Sequence, residues 1–199
     1  MTDSENTWDR LLQIKTTGRD DSKAGHTCYP YEPTPYPVLE RLANRGHIRK
    51  KDVVLDYGCG KGRVGFFLSY QVKAKTIGIE YDERLYQSVL ENQKTAVSRA
   101  RTAFVLAKAE EYEVPAEVNR YYFFNPFSVE ILCKVMTKIM ESHEKASREA
   151  VLFFYFPSQE YLACLMEMEG LELHDEIDCG DLFEGNDLRE KVMVFRLSL

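Results

Sequence analysis

Three polar residues stand at the ends of apolar runs, where an open α/β sheet presents side chains to a ligand. Asp56 ends "VVLD", Glu80 ends "TIGIE" and Asn125 ends "YYFFN". After Asp56 the chain reads "YGCGKGRVG", with glycines at Gly58, Gly60, Gly62 and Gly65. Such a loop lets a backbone come close to a ligand. Gly60 to Gly65 fits G-x-G-x-x-G, a loop for a pyrophosphate, but alone this is a weak signal. In a pyrophosphate site the first glycine follows the strand directly, and the phosphate lies on the helix N-terminus. Here Asp56 and Gly58 precede the match. A carboxylate repels a pyrophosphate and attracts an α-amino group. Asp56-x-Gly58-x-Gly60-x-Gly62 therefore suits a ligand with an ammonium end.

The elements that must hold these residues follow from the hydrophobic pattern. Val53–Asp56, Thr76–Glu80, Thr102–Leu106, Tyr121–Asn125 and Ala150–Phe156 read as strands. Helical stretches separate them: one through Tyr70, then Asp82 to about Ser98, Val129 to Glu141 and Ser158–Glu169. The third carries an apolar stripe of Val129, Leu132, Val135, Met136, Ile139 and Met140. Strands alternating with helices predict a mostly parallel sheet covered on both faces. The C-terminal part departs from this. Leu171–Ile177 and Lys191–Leu199 are both strand-like, and no helical period lies between them. They predict a hairpin with one strand antiparallel to the rest, for seven strands in all. Before the sheet, Ser4–Lys15 suits a short helix, and "CYPYEPTPYP" is proline-stiffened loop. "TPYPVLERLANRG" reads as a helix with Thr34 as N-cap and Gly46 as stop. We expect residues 1–51 to be a lead-in and 52–199 the main domain.

The length of 199 residues suits one domain that needs no disulfide or metal staple. Five cysteines without C-x-x-C spacing argue for reduced thiols in a cytoplasmic protein, not zinc or a disulfide framework. No metal site is expected. No apolar run is long enough for a membrane span, and "MTDSENTWDRLLQIK" lacks the features of a secretory signal. The net charge of −6 argues against bulk nucleic-acid binding. The short basic cluster Arg49–Lys51 reads as a solvated helix end. His47, His143 and His174 read as surface positions, and His26 as a lone loop histidine rather than a base.

"VVLDYGCGKGRVGFFL" followed by "TIGIEYDERLYQSVLENQ" resembles the class I S-adenosylmethionine-dependent methyltransferases. The resemblance covers about residues 53–127 and the terminal hairpin. It implies a Rossmann-like three-layer sandwich with a seven-stranded, mostly parallel sheet, and S-adenosyl-L-methionine as cofactor. Asp56, Gly58, Cys59, Gly60 and Gly62 match the loop that holds the methionine part. Glu80 matches the acid that holds the ribose hydroxyls, a role a strand-end carboxylate can fill by accepting from both. Tyr81 follows it. After the third strand the family often has an acid near the adenine. Here Lys108 stands there, which leaves the contact to the Ala109 N–H or to Glu110. Cys59 reads as packing rather than a nucleophile.

Asn125-Pro126-Phe127 resembles the family's N/D-P-P-Y/F motif, less one proline. The resemblance implies an acceptor nitrogen in preference to oxygen, aimed by hydrogen-bond acceptors and packed against Phe127. The plainer reading is a strand end and helix start. Tyr29, Tyr31 and Tyr36 read either as an aromatic lid or as packing. Two rivals stay open: an NAD(P)-dependent oxidoreductase using Gly60–Gly65, and a methyltransferase-like module that binds without turnover. The acceptor is unidentified, whether small molecule, protein or RNA.

Overall fold

Seven strands form one sheet in the order β3-β2-β1-β4-β5-β7-β6. The computed structural model describes residues 3–20, 31–185 and 187–198. The strands are β1 (Val53–Tyr57), β2 (Lys75–Glu80), β3 (Thr102–Leu106), β4 (Arg120–Phe123), β5 (Ala150–Tyr155), β6 (Leu171–Asp178) and β7 (Lys191–Leu197). The first five are parallel. β7 runs antiparallel between β5 and β6. The expected hairpin is present, with its second strand inserted next to the parallel set. Strand order reverses between β1 and β4, so a crevice opens beyond their C-terminal ends.

The helices are α1 (Asp3–Leu12), α2 (Tyr36–Asn44), α3 (Arg63–Gln71), α4 (Glu83–Thr95), α5 (Val129–Lys145) and α6 (Gln159–Glu167). Successive residues of the central strands face opposite layers. Tyr122 and Phe153 pack with Leu39, Phe66, Phe67 and Leu12 on the α1–α3 side. Tyr121, Phe123, Leu152 and Phe154 pack with Leu132, Val135 and Leu165 on the α5–α6 side. This two-sided burial explains why "YYFF" is apolar throughout rather than alternating.

Local chemistry starts the helices around the crevice. Asp82 caps α4 by accepting from the Arg84 N–H at 2.9 Å, and Ser158 caps α6 by accepting from the Tyr161 N–H at 3.1 Å. Gly62 begins α3 with φ of 85°. Several sequence expectations change: α1 ends at Leu12 rather than Lys15, and α5 runs on past Glu141 to Lys145. Thr34 does not cap α2: Pro35 takes that place, and the Thr34 hydroxyl meets the Tyr122 hydroxyl at 2.9 Å. α4 stops at Thr95, because its chain leaves the helical region at Ala96 (ψ 132°). His143 is not at the surface but 3% exposed. Its Nε2 lies 2.8 Å from the Tyr121 hydroxyl. Burial and the nearby Arg148 guanidinium push its pKa down to about 4.

Candidate active site

Beyond the ends of β1 and β4 lies a cavity of about 320 Å³, a size suited to a cofactor-sized ligand. Its wall includes Asp56, Gly58, Cys59, Glu80, Tyr81, Ala109 and Glu110, with Asn125, Pro126 and Phe127 across from them. The sequence-predicted residues of strand ends one, two and four are thus brought together. Lys108 is also in the wall. It pairs with Glu111 at 2.9 Å, in a short 3-10 turn.

Asp56 is 4% exposed. No hydrogen bond or ion pair holds its carboxylate among the described residues. Burial, then the charge of Glu80, raises its pKa to about 8. A carboxylate left this way favours a cation beside it. Glu80 is equally buried but well satisfied. Its Oε2 accepts from the Gly60 N–H at 2.9 Å, and its Oε1 from the N–H groups of Tyr81 and Asp82 at 2.9 and 2.8 Å. Burial still outweighs these bonds and raises its pKa. With three lone-pair sites used, Glu80 shapes the loop and keeps limited capacity for a ligand hydroxyl.

The loop glycines divide. Gly58 (φ 72°) is exposed in the wall, and a Cβ there would lie 2.5 Å from the Pro126 Cβ. Gly60 and Gly62 are not in the wall. A Cβ on Gly60 would overlap the Tyr31 ring, and one on Gly62 would meet Val89 at 2.5 Å. Gly65 faces Thr76. The G-x-G-x-x-G stretch therefore meets protein atoms rather than open space. Cys59 is buried with its sulfur against Gly78, and burial raises its thiol pKa well above the ordinary value. That is the environment of a packing cysteine.

Of the three tyrosines, Tyr31 reaches the cavity. Its ring lies over Gly60, its hydroxyl donates to the Thr16 carbonyl at 2.7 Å, and its backbone bridges Asp20. Tyr36 does not line the cavity. It is fully buried on the apolar face of α2, stacked on Trp8 at 5.7 Å, and its hydroxyl donates to Asp9 at 2.6 Å. Tyr29 lies outside the described residues, as does His26.

Asn125 adopts φ of 39° and Phe156 φ of 50°. The latter is costly for a bulky side chain. The two turns are tied together, because Asn125 Nδ2 donates to the Phe156 carbonyl at 2.6 Å and its Oδ1 accepts from the Ser158 N–H at 3.3 Å. Phe127 is 5% exposed and packs edge-on to Tyr57 and Phe123, with its carbonyl accepting from the Tyr161 hydroxyl.

Arg63, in the wall, was not singled out from the sequence. It is 2% exposed, its Nε donates to the Thr16 hydroxyl at 2.7 Å, and its Nη1 donates to the Thr34 carbonyl at 3.1 Å and pairs with Glu5. Its Nη2 is buried with no partner among the described residues. A charged residue opening the otherwise apolar "RVGFFL" was the available signal.

No family model matches the chain. Over 72 residues it is 35% identical to a protein-lysine N-methyltransferase of Saccharolobus islandicus (strain REY15A), and this stretch spans 35% of the chain and 44% of that protein. In structure it is similar to an RNA methyltransferase from Salinibacter ruber in complex with S-adenosyl-L-homocysteine, with TM-score 0.56 and 21% identity over 84% of this chain and 93% of that one. It is also similar to a SAM-dependent methyltransferase from Aquifex aeolicus, with TM-score 0.63 and 15% identity over 84% and 94%. A precorrin-6y C5,15-methyltransferase from Geobacter metallireducens GS-15 matches with TM-score 0.60 and 16% identity over 93% and 98%. By its strand order and by these likenesses, the chain has the Rossmann-like fold of the class I S-adenosylmethionine-dependent methyltransferases.

Proposed function

We propose that the chain is an S-adenosylmethionine-dependent methyltransferase acting on a nitrogen. The observation that carries this reading is Asp56, a buried carboxylate with no partner among the described residues, facing a cavity at the point where strand order reverses. An α-amino group is the ligand feature that would satisfy it. Arg63 stands in the same wall with one guanidinium nitrogen unpartnered among the described residues, and is the group of opposite charge for an α-carboxylate. Gly58, lacking a side chain, lets Pro126 pack against the loop in the cavity wall. Glu80 offers its remaining lone pair to the ribose. Tyr81 and the turn at Ala109–Glu110 flank the base.

S-adenosylmethionine, when bound, supplies an electrophilic methyl group on a sulfonium. The residues of this chain position the partner. Methyl transfer is an in-line displacement in which orientation contributes more than acid–base strength. Asn125 Oδ1 keeps one lone pair free of Ser158 for an acceptor N–H. The rings of Tyr31, Phe124 and Phe127 line the cavity and favour positive charge near their faces. Tyr31 covers the glycine loop in the manner of a lid. The name of the Saccharolobus islandicus relative supports a nitrogen acceptor, and protein lysine is the acceptor class to test first.

The test is calorimetric titration with S-adenosylhomocysteine, followed by transfer from tritiated methyl donor. The acceptors would be lysine-bearing protein, RNA and small-molecule fractions of an extract. No binding at millimolar ligand refutes the cofactor. Label on an oxygen of the acceptor, whether released by base as methanol from an ester or retained as an ether, refutes the nitrogen.

A further inference from the structure

Two thiols outside the cavity face each other across α5 and α6. The Cys133 and Cys164 sulfurs are 3.3 Å apart. A disulfide bond is about 2.05 Å long, so the sulfurs need to close by roughly 1.2 Å. Cys133 is exposed and Cys164 is half-buried. The two helices carry the turns of the acceptor side. α5 starts four residues after Asn125 and α6 starts three after Phe156, the two residues joined by the Asn125 side chain. A covalent bond between these helices would clamp both turns. The other described cysteines, Cys59 and Cys179, are buried and lie apart from this pair.

We propose that Cys133 and Cys164 form a reversible intramolecular disulfide on exposure to a low-molecular-weight disulfide such as oxidised glutathione. Exposure sets the order of events. The Cys133 thiolate attacks one glutathione sulfur, forms a mixed disulfide and releases one glutathione thiolate. Cys164 then loses its proton to solvent, and its thiolate attacks the Cys133 sulfur and expels the second glutathione thiolate. Two protein thiols lose two protons and two electrons, and one oxidised glutathione becomes two reduced ones. Burial and the neighbouring Cys133 raise the Cys164 pKa to about 11. In the mixed disulfide the Cys133 thiol no longer contributes but burial remains, so the resolving step quickens as pH rises from 7 to 8.

The experiment treats the reduced full-length protein with oxidised glutathione at pH 7 and pH 8. The reaction is quenched with N-ethylmaleimide, and intact mass and non-reduced peptide maps are read. Wild type is expected to lose two hydrogens, to join the Cys133 peptide to the Cys164 peptide, and to revert with dithiothreitol. Cys164→Ser should stop at one glutathione on Cys133, and Cys133→Ser should yield no internal bond. Wild type that stops at the glutathione adduct overturns the proposal. So does cross-linking between two chains through Cys133, or loss of two hydrogens that persists in Cys133→Ser.

Discussion

Binding of the cofactor's amino-acid tail should be coupled to proton release from Asp56. Asp56 carries a pKa of about 8, raised by burial and by Glu80. With that value, about 1% of the free protein is ionised at this position at pH 6, and half at pH 8. The ligand's α-amino group, near 7.7–8.0 in reference compounds, is cationic through most of that range. A complex holding carboxylate against ammonium must therefore expel about one proton when it forms at pH 6. Because the amino group is itself half or less cationic by pH 8, affinity for S-adenosylhomocysteine should rise about 20-fold from pH 6 to pH 8, which is about 1.8 kcal/mol. Near pH 8 affinity should level, and above it the amino group loses its remaining proton and affinity should fall. Calorimetry in two buffers of different ionisation enthalpy reads both the constant and the protons released. Asp56→Asn, close in shape and without charge, should bind weakly and with little slope. Flat affinity between pH 6 and pH 8 with no proton released would refute the reasoning. So would an Asp56→Asn protein that keeps the wild-type slope, which would assign the proton to Glu80 instead.

Asp56 also makes a prediction for the ligand-free protein. A carboxyl whose folded pKa is raised binds its proton more tightly when folded, so its effect is to favour folding as pH falls from about 8 toward 4. Asp56→Asn should accordingly melt higher than wild type at pH 9, with the gap narrowing as pH falls and closing near pH 4 in differential scanning fluorimetry. His143 acts in the other direction: its folded pKa of about 4 lies below the ordinary 6.5, so stability falls as pH drops through that window. Urea unfolding should show wild type losing about 2 kcal/mol between pH 6.5 and pH 5, and His143→Asn losing much less. Asn125→Ala removes two tethers between the turns after β4 and β5. It should cost about 1–2 kcal/mol of stability and lower methyl transfer about a hundredfold at saturating cofactor, while leaving the S-adenosylhomocysteine Kd within a few-fold. Gly58→Ala, at φ of 72° and with its Cβ against Pro126, should abolish cofactor binding. The same strain should lower its unfolding midpoint.

Much of the architecture was legible because local patterns and topology agree. β3 matches residue for residue, and the other strands start or end within two residues of expectation. The apolar runs of β4 and β5 are buried on both faces, which is what a central parallel strand requires. What escaped depends on contacts between distant segments. His143 sits in a polar-looking helix end, and only the packing of α5 against β4 brings it to Tyr121. Tyr36 lies in the same proline-rich segment as Tyr31, yet the turn of α2 sends it to Trp8 and Asp9 instead of the cavity. Arg63 looks like a surface charge until residues 5, 16 and 34 are folded over it. The roles of Asp56 and Glu80 differ for a reason that spacing does not carry. Both end strands, but among the described residues Glu80 meets three backbone N–H groups and Asp56 meets none.

The position of β7 bears on how the chain is made. β6 leaves the ribosome first, but its only sheet neighbour is β7, which is synthesised later and must enter between β6 and β5. Until then β5 presents an open edge of six apolar residues and β6 has no sheet to join. The nascent protein passes through a stage at which the cofactor-side strands are complete while an adhesive edge is uncovered. Lesions in β7 should therefore appear first as aggregation during synthesis, in chains whose glycine loop is intact.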